Sequence, residues 1–181
     1  MQNNRSKNIL QLHFIVFIFG FTSVLGALIS ISALPITIYR MGIASFFLAL
    51  FIFFYDKNKF KLRKGLIIKI LICGLLIALH WITFFYAIKI SNVSITVSMM
   101  SSAAFLTSLI EPLFFKKKFL LYELILGILS LFGVSIIFNA EIKYIDGLIV
   151  ALISSVLVSV FTILNSRIVI NNSSITISFY E

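Results

Sequence analysis

His80 and Trp81 stand side by side deep within a long apolar run that continues Ile82-Thr83-Phe84-Phe85-Tyr86. An imidazole, an indole N–H and aromatic faces at that depth can hold an apolar or cationic solute. For His80 the alternative is a core histidine bonded to a neighbouring helix. Tyr86, nearer the end of the run, reads as an interfacial anchor. Two charges inside apolar runs need individual accounts. Arg40 lies about one turn into the second run, and Glu111 lies near the end of the fourth, just before Pro112 and Lys116-Lys117-Lys118. Each can snorkel, pair with a neighbour or serve a gate. Pro112 removes a helical hydrogen bond and frees the carbonyl of Ser108, which predicts a bend.

Small polar residues recur at helical spacing. Ser94, Ser98, Ser101, Phe105 and Ser108 share one face of a helix, as do Ser155, Ser159, Thr162 and Ser166, with Asn165 beside them. Such faces let membrane helices approach closely and bond across the contact. The other reading is a polar cavity lined by Ser98, Ser101, Thr162 and Asn165, because an amide among lipids needs a partner.

None of this is bond-making chemistry. The two histidines, His13 and His80, are far apart, and the chain has no paired-carboxylate motif, no GxGxxG and no Walker loop. Cys73 is the single cysteine, so neither an internal disulfide nor a cysteine-based metal cluster is available. No cofactor and no metal is implied, and an energy source would have to be an ion or substrate gradient. The chain reads as a non-enzyme.

The elements that must position these residues follow from composition. With 61% hydrophobic residues, 12% charged residues and a mean hydropathy of +1.14, the chain has too little polar surface to cover a soluble globule. Apolar runs near the length needed to cross about 30 Å of hydrocarbon as a helix lie at roughly 12–31, 36–55, 66–88, 93–115, 119–138 and 148–170, and a seventh starts near Ile175. Because the runs are continuously apolar rather than alternating, they predict helices and not a barrel. The expected fold is an all-α polytopic membrane protein. Arg5 and Lys7 precede the first run, which reads as a retained helix rather than a signal peptide.

The net charge of +9 distributes by side. Arg5, Lys7, the connection from Lys57 to Lys64, Lys116 to Lys118 and Arg167 fall on one side, and Lys89 and Lys143 on the other. That asymmetry predicts a cytoplasmic N-terminus in a multi-pass protein of the inner (plasma) membrane, and it makes the basic residues topology signals rather than a nucleic-acid surface.

The chain also echoes itself. Phe21-Thr22 followed by Ile36-Thr37-Ile38-Tyr39-Arg40 returns as Phe161-Thr162 followed by Ile175-Thr176-Ile177-Ser178-Phe179-Tyr180-Glu181, with five apolar runs between the copies. An odd number of crossings sets the second copy upside down, the arrangement in which secondary transporters alternate access. The expected units are residues 1–140, a first five-helix repeat, and residues 141–181, the truncated start of a second, inverted one. Glu181 falls a few residues into an apolar run, so the chain is expected to be part of a protein of about 300 residues.

Tyr39-Arg40, the string WITFFYAIKIS, the polar fourth run, Glu123 with Gly127 and Gly133, and Asn165-Ser166-Arg167 occur in an order that resembles the EamA-type transporters of the drug/metabolite transporter superfamily. The resemblance implies two inverted five-helix units around a central cavity to which the first, third, fourth and sixth runs contribute, with Gly127 and Gly133 packing helices. Ala103 and Ala104 stand where the family often has proline, and Lys118 where it has glutamate, so the roles of those residues are not carried over. The expected function is export of small organic metabolites or amino-acid-like compounds, with the lipid bilayer and a small-molecule substrate as partners. Two copies of the chain could supply both halves as a homodimer. The rival readings are a membrane-embedded enzyme acting on lipid-linked substrates, for which the chain lacks clustered acids or histidines, and a non-transporting membrane scaffold.

Overall fold

The computed structural model describes residues 2–116 and 118–181, without the side chains of residues 2–5, 64 and 138–140. Lys117 of the predicted basic run and the side chains of Arg5 and Lys64 lie outside the described residues. Every regular element among the described residues is helical: α1 (Gln2–Leu28), α2 (Ala33–Tyr55), α3 (Ile67–Ile90), α4 (Val93–Met100), α5 (Ser102–Phe115), α6 (Leu121–Ala140), α7 (Ile145–Val169) and α8 (Ser174–Tyr180). Short 3-10 turns at Lys57–Phe60, Lys64–Leu66 and Ile142–Tyr144 join them.

Ser6–Leu28, Ala33–Tyr55, Ile67–Ile90, Val93–Phe115 and Ile142–Val169 are long and apolar enough to cross a membrane, and Leu121–Ile137 is a shorter apolar stretch. Their large apolar side chains point outward in number, Phe17, Phe47, Phe54 and Leu126 among them. A water-soluble chain would bury them, whereas lipid offers them a solvent as apolar as a core. The chain is therefore an all-α polytopic membrane protein.

Helices α3 and α7 form the most extensive pair, and α2, α4 and α5 pack around them. Several cross-helix polar contacts come from the serine face of α7. Ser155 donates from Oγ to the carbonyl of Met99 at 3.2 Å, and Ser159 to that of Ala103 at 3.0 Å. Hydroxyls on one helix thus bond the backbone of its neighbour, the packing role that a small-residue face can take.

The fourth run is interrupted. The helix breaks at Ser101, and α5 then continues through Pro112 to Phe115. The carbonyl of Ser98 accepts both the backbone N–H of Ser101 at 3.1 Å and its Oγ at 2.7 Å, and Ala104 N–H bonds Ser101 in the same tightened i to i+3 pattern. Serine hydroxyls therefore take over carbonyls that amides one turn later would otherwise hold. Ser130 of α6 donates to the Ser101 carbonyl at 3.3 Å.

Glycines set close approaches, at Gly147 against Ser91 and at two positions beside aromatic rings. A Cβ on Gly26 would overlap the Phe85 ring, and one on Gly127 would overlap Phe105, so α1 meets α3, and α6 meets α5, with an aromatic ring lying on bare backbone. Gly133 faces open space.

Candidate functional site

Arg40 and Glu181 line one cavity of about 340 Å³ between α2, α3, α7 and α8, together with Ser45, Ile77, Trp81, Phe161 and Ser178. Each charge follows a helix start preceded by a serine, and of the two serines Ser173 caps its helix with its side chain while Ser32 does not. Ser32 precedes α2 and Ser173 precedes α8, both in extended backbone, and Arg40 and Glu181 each fall eight positions beyond that serine. At 1.5 Å per residue both lie roughly 10 Å along from the helix start.

Trp81 holds the arginine. The Arg40 guanidinium carbon is 3.4 Å from the centroid of the Trp81 ring, and the indole in turn stacks on Phe85 at 5.7 Å and meets Phe84 edge-on at 5.6 Å. A cation on an indole face keeps part of its electrostatic stabilisation where water is scarce. The stack leaves one arm of the fork free: the Nη1 of Arg40 is buried and has no hydrogen-bond partner in the protein. Across the cavity Glu181 is half-occupied in the same way. Its Oε2 accepts from the Asn165 amide at 3.4 Å, while its Oε1 and the Oδ1 of Asn165 are buried without partners. Unsatisfied buried polar atoms are costly, and three of them cluster around this cavity.

His80 is placed otherwise. Its ring is buried, and Nδ1 lies 3.0 Å from the Ser154 carbonyl and 2.9 Å from Ser154 Oγ, which also donates to the His80 carbonyl at 3.0 Å. The imidazole ties α3 to α7 and backs Trp81, with ring centroids 4.9 Å apart, rather than lining the cavity.

A second cavity, of about 500 Å³, opens between α5, α6 and α7 and is lined by Thr107, Ser108, Glu111, Glu123, Ser130 and Thr162, with Gly127 in its wall. The predicted residues therefore divide. Arg40 and Trp81 line the first cavity, with Asn165 bonded to its glutamate, and Thr162 and Glu111 belong to the second. Ser98 and Ser101 bond within the broken helix, Ser101 reaching Ser130 as well. Pro112 is buried in α5. Glu181 was missed as a site residue, although the repeat that aligns it with Arg40 pointed to it. Among the described residues no group of three His, Cys, Asp or Glu side chains could hold a metal.

No curated protein and no solved structure matches the chain. A family does: the model of the EamA-like transporter family matches residues 7–139. That stretch spans the first five apolar runs, including Arg40, the His80-Trp81 pair and the interrupted fourth run. With a match over most of its length, on a bundle of membrane-long helices, the chain belongs to the EamA-like transporter family.

Proposed function

We propose that the chain works in a secondary carrier that exports small zwitterionic metabolites of the amino-acid type across the inner membrane by alternating access. The observation that carries this reading is the pairing of an arginine and a glutamate, each with a buried unpartnered atom, on one cavity. A substrate carboxylate would take the free arm of Arg40, and its ammonium would take Glu181 Oε1 and Asn165 Oδ1. Each buried charge then gains an opposite one, which offsets its desolvation. Met41, Ala44, Leu48 and Ile77 supply an apolar wall for a short side chain, and the cavity volume suits a small metabolite.

The equal spacing of Arg40 and Glu181 from their helix starts, and the packing of α2 against α8, support an organisation in which residues 1–140 form one five-helix unit and 141–181 begin its inverted partner. In that organisation the site lies where the units meet. The basic connections orient the N-terminus to the cytoplasm.

The test is ligand-dependent thermal stabilisation of the purified chain by matched triplets: a small amino acid, the amine lacking its carboxylate and the acid lacking its amine. Stabilisation by the amino acid alone is expected. Equal stabilisation by amine or acid would contradict the two-ended site.

A further inference from the structure

A cavity of about 510 Å³ separates the start of α3 from the end of α7, and its lining has a two-part character. Arg63, Lys69, Arg167, Asn171 and Asn172 form one part, and Ile72, Leu164 and Ile168 form the other, with no acidic residue among the lining. Lys69 is the third residue of α3, and Arg167 is two residues from the end of α7. The polar part thus lies at the level where helices leave the hydrocarbon, and the apolar part runs inward along the spans. Arg63, Lys69 and Arg167 are exposed. Arg167 gives one N–H to the Phe114 carbonyl and lies 4.4 Å from the Phe115 ring, which fixes its guanidinium and leaves its other donors available. Asn172 donates to the Ile168 carbonyl at 2.7 Å, four residues back along the chain.

We propose that this cavity binds the headgroup of an anionic phospholipid, with the phosphate between Arg63, Lys69 and Arg167 and an acyl chain along Ile72 and Leu164. Three cations from three separate segments around one opening match a phosphate. The apolar floor distinguishes a lipid from a free anion, which would gain nothing from it. A topology signal needs basic residues only on the correct side of the membrane; it does not need them gathered on one cavity. The site is independent of the substrate cavity, since the two share no lining residue.

The experiment measures phosphatidylglycerol retained by the full chain in phosphatidylcholine nanodiscs, by native mass spectrometry. Three proteins are compared: wild type, Arg63→Gln/Lys69→Gln, and Lys57→Gln/Lys61→Gln as a control that removes two charges from the same end outside the cavity. The cavity variant is expected to lose about tenfold in retention, the control to match wild type, and millimolar inorganic phosphate to leave the lipid in place. Equal loss in both variants, no loss in the cavity variant, or displacement by inorganic phosphate would each overturn the assignment. Should the double variant misfold by circular dichroism, Lys69→Gln alone changes one exposed side chain and must still lower retention several-fold.

Discussion

Arg40 and Glu181 occupy matching positions, eight residues beyond Ser32 and Ser173, and bring opposite charges to one cavity from α2 and the C-terminal cap of α8. Neither satisfies the other: Nη1 of the arginine and Oε1 of the glutamate are both buried without a partner. The proposed occupant, with a charge at each end, would complete both. Replacing Arg40 with glutamine removes a charge-assisted hydrogen bond to that occupant, and amino-acid affinity is expected to fall about tenfold to a hundredfold. Titration of binding by thermal shift checks this, with unaltered affinity as the contrary outcome.

Trp81 carries Arg40 on its face at 3.4 Å. Trp81→Phe keeps a ring under the cation and should retain most of the affinity, whereas Trp81→Leu keeps an apolar side chain and loses the ring quadrupole, with an expected cost of about 1 kcal/mol in binding. Equal affinities for the two variants would mean that the indole merely fills space.

Ser154 anchors His80 through both Oγ and its carbonyl. Ser154→Ala is expected to lower stability by about 1 kcal/mol while leaving ligand selectivity unchanged. A changed order of preference among amino acid, amine and acid would instead put His80 in contact with the ligand.

Close packing at Gly127 gives a cleaner contrast. Gly127→Val drives a side chain into Phe105 and should cost about 1–3 kcal/mol, while Gly133→Ala, facing open space, should change stability by less than about 0.5 kcal/mol. Denaturant unfolding in detergent separates them.

The helical runs were legible because bilayer thickness dictates length, and predicted and observed ends agree to within a few residues at Tyr55, Ile90 and Phe115. The interruption at Ser101 was not legible. Serine is frequent along that run, and only a fold shows which hydroxyl captures a carbonyl. Pro112 carried the expected signal for irregularity, yet α5 passes through it. The site was half legible. Arg40, Trp81 and Asn165 stood out by charge or size in apolar surroundings, whereas the place of Glu181 on the same cavity shows only once α8 packs against α2. Long-range pairing of that kind leaves no local pattern.

Orientation can be read independently of the site. In a Cys73→Ala background, a cysteine at Lys61 should resist impermeant thiol reagents applied to intact cells, and one at Lys143 should react. Labelling at Lys61 would reverse the assignment of the basic connections and remove the support they give to a cytoplasmic N-terminus.

The most direct measurement combines protein and ligand truncation in one cycle. Affinities of an amino acid, its amine and its acid are measured for wild type, Arg40→Gln and Glu181→Gln. If the two charges hold the two ends, Arg40→Gln abolishes the advantage of the amino acid over its amine, and Glu181→Gln abolishes its advantage over the acid, each without affecting the other. Additive, ligand-independent losses in both variants would contradict the account.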